Sequence, residues 1–156
     1  MIELPVPANL PDDYVSDGEQ KVVLYKRIAS VQSFEALDEV RAELLDRFGK
    51  LPEEADNLLT IVDLKLRARD LTIPSIRVKE GRLTFLLPFY EPLNLKREND
   101  LFRQTGWRPL KPPLPQTLVM TGLHGVAAGK PEYPPARELL DKTRGILVQL
   151  QRWKDG

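Results

Sequence analysis

The sequence predicts an α+β fold, with N-terminal helices packed with a small β-sheet and a C-terminal amphipathic helix. Three observations carry that expectation. Between Gly18 and Asp70, apolar residues recur three and four apart in three successive segments. Beyond Asp70 the period shortens toward two, and from Ala136 the helical period returns.

The elements follow in order. Pro5, Pro7 and Pro11 make residues 1–11 an extended lead-in or linker, and residues 12–156 read as one domain. Asp17 with Gln20 three residues on is a capping-box variant, so a helix starts near Gly18, with Val22, Tyr25, Ile28 and Ala29 as its apolar stripe. Ser33 caps a second helix whose apolar face is Phe34, Leu37, Val40, Leu44, Leu45 and Phe48, and Gly49 stands where a left-handed C-cap belongs. Pro52 suits the first position of a third helix, with Glu53 and Glu54 favoured by the helix dipole. That helix is apolar around much of its circumference and ends in Lys65, Arg67 and Arg69. Ser75–Val78 and Arg82–Leu87, joined by Lys79-Glu80-Gly81, read as a β-hairpin. Asn94–Gln104 reads as a short helix. Arg108–Pro115, with four prolines, reads as a loop or edge segment, Thr117–Met120 as a strand and Gly122–Pro135 as a loop. Ala136, Leu139, Leu140, Thr143, Ile146, Leu147, Leu150 and Trp153 then mark an amphipathic helix supported by a Glu138–Lys142 pair.

Composition narrows the chemistry. The chain of 156 residues is 42% hydrophobic, enough for a real core. It has no cysteine, which removes disulfides, thiolate metal sites and Cys nucleophiles together. One histidine rules out a multi-His metal site within the chain. No apolar run approaches a membrane span and the N-terminus lacks a signal-peptide pattern, so the expectation is a soluble cytoplasmic domain that meets no membrane. The zero net charge divides unequally. Residues 1–74 carry 9 Lys and Arg against 15 Asp and Glu, a net of −6, and residues 75–156 carry 14 against 8, a net of +6.

Searches for catalytic patterns fail. Gly129-Lys130 resembles the end of a phosphate loop, but Pro131 replaces Ser/Thr and His124 stands where the first Gly belongs. Neither is the dinucleotide spacing met. His124 has no Ser/Asp arrangement around it, and Asp12-Asp13 and Glu53-Glu54 are explained by solvation and helix capping. The late mixture of Phe85, Phe89, Tyr90, Phe102, Trp107, Lys96, Arg97, Arg103 and Arg108 reads first as core aromatics with a solvated basic rim. The alternative is a nucleic-acid-contacting module that uses the basic second half.

One feature stands out. At about 100° per residue with Phe34 as zero, Glu35, Asp46 and Glu39 fall near 100°, 120° and 140° and Glu43 near 180°, while the apolar residues centre near 310°. Asp38 and Arg41 lie off to the apolar flank. Glu35–Glu39 and Glu39–Glu43 are like-charge i,i+4 pairs, each mildly destabilising in an isolated helix. Pattern alone reads the stripe first as a solubilising face; docking on a basic surface is the other reading.

The segment bearing this stripe resembles the start of the C-terminal domain of the bacterial transcription-repair coupling factors, the Mfd family. Three blocks carry the resemblance: Leu10–Val15 (LPDDYV), Tyr25–Ser30 (YKRIAS) and Glu43–Pro52 (ELLDRFGKLP). It is strong over residues 10–73 and architectural beyond, and residues 108–115 and 122–135 depart from the family's pattern. The resemblance implies a regulatory clamp without catalysis of its own, cut from an ATP-driven DNA translocase that acts on stalled RNA polymerase and recruits excision repair through UvrA. It implies that ATP and Mg belong to motor domains absent from this chain, which takes no cofactor or metal. It implies docking on a UvrB-like N-terminal module of the same protein, masking the UvrA-binding surface. Within the family's E-L-[LI]-D-R-F-G motif the acidic positions pair with arginines on that module; here they are Glu43 and Asp46, with Glu39 and Glu35 adding to the field.

Overall fold

The computed structural model describes residues 1–87, 94–110, 117–123, 125–127 and 130–156, with 125–127 and 130–132 as backbone. The chain divides into two compact units, Val6–Leu66 and Met1–Pro5 with Arg67–Gly156.

The first unit is helical: α1 (Gly18–Ala29), α2 (Phe34–Phe48) and most of α3 (Glu53–Asp70). Each start has a physical cause. The Asp17 carboxylate accepts from the N–H groups of Glu19 and Gln20 at 2.9 and 3.3 Å, and the Ser33 hydroxyl accepts from Ala36 N–H at 3.1 Å. The Pro52 carbonyl accepts from Asp56 N–H, which makes Pro52 the cap of α3 and Glu53 its first helical residue, one position later than the sequence suggests. The core joins Leu24 and Ile28 of α1, Leu37, Val40 and Leu44 of α2, and Ala55, Leu59, Val62 and Leu66 of α3, with Leu10, Val15 and Val31.

Two expected stripes are redrawn by this packing. In α1 the buried residues are Leu24 and Ile28, continued by Val31, while Val22 is 53% exposed and Ala29 faces solvent. In α2 Leu37, Val40 and Leu44 are buried, but Phe34 is 37% and Leu45 54% exposed. Gly49 has φ +84° and ψ −164°, a region open essentially to glycine only, rather than the left-handed helical cap expected.

The second unit centres on a five-stranded sheet, ordered β1 (Ile2–Glu3), β2 (Ile76–Lys79), β3 (Arg82–Leu86), β5 (Thr117–Thr121), β4 (Arg108–Leu110). β1 pairs with β2 in parallel and all other neighbours are antiparallel. Residues 2–3 of the lead-in thus form a strand. β2 and β3 are joined by Glu80-Gly81, both at positive φ (52° and 75°), as a type I′ hairpin turn requires. The register places Ile76 opposite Phe85, Leu83 opposite Met120 and Phe85 opposite Leu118, so one face of the sheet is a continuous buried surface. β4 lies at the sheet edge, where its proline is tolerated. Within Gly122–Pro135, expected as a loop, β6 (Gly125–Ala127) pairs with β7 (Lys130–Glu132).

α4 (Leu95–Thr105) begins at the Asn94 cap and ends at left-handed Gly106. α5 (Ala136–Asp155) buries Leu139, Leu140, Thr143, Ile146 and Leu147, as its stripe predicts, and Lys142 Nζ reaches Glu138 Oε1 at 2.7 Å.

Candidate docking face

The carboxylates singled out in the sequence all lie on α2. Its buried residues Leu37, Val40 and Leu44 centre near 270° on the wheel used above (about 100° per residue), not near 310°, because Phe34 and Leu45 do not pack inward. The shift turns Glu35 squarely outward and leaves Asp46 and Glu39 about 30° and 50° from the outward direction, and all three are exposed. None of the three has an ion-pair partner among the described residues. Glu35 also sits in the first turn, where the helix dipole favours it.

Glu43 is different. It lies about a quarter turn from the buried centre, on the flank that meets α1, and is half-buried. There Arg27 of α1 donates from its Nη1 to Glu43 Oε2, and Arg47 Nη1 stands 3.9 Å from the same oxygen. Glu43 is therefore a joint between two helices as well as part of the acidic stripe. Arg41 turns toward α3, where its Nη1 is 2.7 Å from Asp56 Oδ1, so it neutralises none of the outward carboxylates.

The loops flanking α2 are fixed from below. The Tyr14 hydroxyl donates to the carbonyls of Leu44 and Gly49 (3.1 and 2.9 Å), and its ring lies 5.7 Å from that of Phe48. Burial pushes the Tyr14 phenol above its ordinary value. The Tyr25 hydroxyl accepts from Leu10 N–H at 2.7 Å, and Asn57 Nδ2 donates to the Pro7 carbonyl at 2.9 Å. Asp12 is engaged by Lys21, whose hydrogen bond and charge hold its carboxyl below the usual range. Sequence reasoning missed the Arg27–Glu43 joint, since a separation of 16 residues carries no periodic signal.

The other candidates fall elsewhere. His124, Phe89, Tyr90, Gly129 and residues 111–115 lie outside the described residues. Phe85 and Trp107 are core, while Phe102 is at the surface under the Arg108 guanidinium, 4.3 Å from its ring centre. Glu53 and Glu54 occupy the first turn of α3. Among the described residues no group of three His, Cys, Asp or Glu side chains is arranged to hold a metal, and no helix is long and apolar enough to cross a membrane.

Comparison with known proteins converges on one family. Residues 4–97 match the TRCF domain. The transcription-repair-coupling factor of Haemophilus influenzae is 48% identical over 80 residues, and that of Myxococcus xanthus 42% over 86. These matches take in 51% and 55% of the chain and 7% of each relative, so the chain corresponds to a small part of those proteins. A crystal structure of the C-terminal domain of transcription-repair coupling factor superposes with a TM-score of 0.68 at 22% identity, covering 99% of this chain and 94% of that one. The fold is the same, including the sheet and final helix that the sequence matches only in part.

Proposed function

Given that this chain belongs to the TRCF domain family, we propose that it is a non-catalytic, autoinhibitory interaction domain of a cytoplasmic transcription-repair coupling factor. It docks on the UvrB-like N-terminal module of the same protein, covers the surface that UvrA binds, and restrains the ATP-driven DNA translocase. UvrA, RNA polymerase and DNA are reached through the rest of the parent protein, whose motor domains use ATP and Mg; this domain contributes no cofactor site to the reading.

The observation that supports it is the outward arc of α2. Glu35, Glu39 and Asp46 stand exposed without ion-pair partners among the described residues, on a helix tied down from beneath by Tyr14 and by the Arg27–Glu43 joint. Docking on arginines would turn their mutual repulsion into association rate and specificity. Asp46 is the open half of the E-L-L-D motif. Glu43 would share its carboxylate between Arg27 and the partner. Each partly exposed pair contributes about 0.2–1 kcal/mol, weak enough for a latch that opens.

The test is binding of this chain to the separately expressed UvrB-like module at low salt. Charge reversal at Glu39 and Asp46 is the cleaner variant, because Glu43→Lys would set a cation against Arg27 and disturb the fold itself. Salt-sensitive binding lost in Glu39→Lys/Asp46→Lys supports the reading, and binding indifferent to both salt and reversal contradicts it.

A further inference from the structure

The unit Val6–Leu66 carries a second surface feature, a groove between two of its helices. Tyr25, Ile28 and Ala29 of α1 and Leu58, Ile61 and Lys65 of α3 line a space of about 180 Å3 whose walls are mostly apolar. Ala29 keeps it open, with only a methyl group where a longer side chain would fill it. Val22, 53% exposed, stands one turn before Tyr25 on the same flank of α1 and extends the apolar surface. The charges around the groove are selective. Seven Lys and Arg belong to this unit, and Lys21, Arg27, Arg41 and Arg47 are engaged by carboxylates. Three cations, Lys26, Lys50 and Lys65, have no ion-pair partner among the described residues, and two of them belong to the groove. Lys65 lines it, and Lys26 lies four residues after Val22 and three before Ala29. In a unit of net charge −6, an apolar groove is thus flanked by free cations.

We propose that this groove is a second docking site, which seats one leucine or phenylalanine of an acidic amphipathic helix while carboxylates three or four positions from that anchor reach Lys26 and Lys65. The site shares no residue with the acidic face of α2 and stands independently of it. Its size sets the anchor: a cavity of about 150 Å3 holds a benzene ring, so the space takes one large apolar side chain and not two. The free cations set the charge. A lysine is a compact charge on a flexible stem, so it selects for acidity more than for one geometry. A helical partner meets both demands, because residues three or four apart share one side and present anchor and carboxylates together. Glu19 and Glu54 lie on the same helix faces a turn or more before the groove residues. The partner's carboxylates therefore belong toward the C-terminal ends of α1 and α3, where Lys26 and Lys65 stand.

The test follows amide and methyl NMR signals of the isotope-labelled chain as helical, alanine-based peptides are titrated in to millimolar concentration at low salt. One peptide carries a central phenylalanine with glutamates three and four positions to either side. A second replaces the glutamates with lysines, and a third replaces the phenylalanine with serine. Binding is read at Tyr25, Ala29 and Ile61, so contact of the basic peptide with the acidic face of α2 registers elsewhere. The acidic phenylalanine peptide is expected to perturb these signals, with affinity about tenfold weaker for either altered peptide. Ala29→Trp, which plugs the groove from an exposed position, is expected to weaken it equally, with the folded spectrum of the free variant as control. Lys26→Glu/Lys65→Glu, both exposed, is expected to invert the preference between the acidic and basic peptides. The proposal is overturned if the acidic peptide leaves Tyr25, Ala29 and Ile61 unperturbed. It is equally overturned if binding there survives loss of the phenylalanine, or if the double reversal leaves the charge preference unchanged. None of these outcomes bears on docking through α2.

Discussion

Tyr14 illustrates how single residues carry the helical unit. One hydroxyl serves the carbonyls of Leu44 and Gly49, closing the end of α2, while the ring packs on Phe48. Tyr14→Phe is expected to cost about 1 kcal/mol in chemical denaturation, the net value of a hydrogen bond with partners left half-satisfied. The phenol also fixes a pH dependence. Because folding raises its pKa, the folded state holds the proton more tightly; the contribution is complete below the ordinary phenol value and is lost as pH rises above it. Alkaline destabilisation of this unit is accordingly expected to be shallower in Tyr14→Phe, as thermal melts between neutral and strongly alkaline pH will report. Gly49 is the second such residue. At φ +84° and ψ −164° a side chain is strained although the space around it is open, so Gly49→Ala is expected to destabilise by about 1–3 kcal/mol. Glycine at this position was legible in the sequence, but its conformation was not, because the backbone leaves α2 extended toward the Pro52 cap instead of closing in a left-handed turn. The Arg27–Glu43 joint was equally hidden, as side-chain pairing across two helices leaves no trace in local spacing. With both groups partly exposed, a double-mutant cycle on Arg27→Ala and Glu43→Ala should return a coupling of about 0.2–1 kcal/mol.

At the scale of elements, start signals proved more legible than faces. Asp17 and Ser33 each accept the backbone hydrogen bond that their position predicts, and Asn94, read only as the first residue of a short helix, caps α4 in the same way. Ser33→Ala is expected to lower stability by about 1 kcal/mol, read as a shift in the thermal unfolding of α2 and its unit. Apolar faces are harder to read, because periodicity says that a residue could pack inward and not that a neighbour exists to receive it. Val22 and Leu45 fit their stripes and remain exposed, since each helix meets its neighbours over a narrower arc than its apolar content allows. The sheet was legible where turn chemistry is strong, at Glu80-Gly81, and lost where strands are three residues long, as in β6 and β7. Pairing of such short strands is decided by tertiary context rather than by propensity. The acidic stripe of α2 was recovered because helical geometry fixes relative angles whatever the packing, and with the buried centre corrected three of its four carboxylates still lie on the exposed side while Glu43 moves to the flank.

At the scale of the whole molecule, the sequence blocks shared with the family serve first as cement. Leu10 and Val15 are core, Tyr14 closes α2, Tyr25 holds the lead-in, and Arg27 joins Glu43. What remains after these structural roles are subtracted is the outward face of α2, and it is there that the docking reading rests. The unit Val6–Leu66 that bears this face carries 13 Asp and Glu against 7 Lys and Arg, a net of −6. Its association with a basic surface is therefore expected to slow as ionic strength rises, with dissociation changing much less, a separation that stopped-flow or surface-binding kinetics will resolve. The most direct measurement is competition: UvrA is titrated against the UvrB-like module in the presence and absence of this chain. The account predicts that the chain weakens UvrA binding in proportion to its own occupancy, and that Glu39→Lys/Asp46→Lys removes the effect. UvrA and the chain binding the module together, with neither affecting the other's affinity, would contradict it.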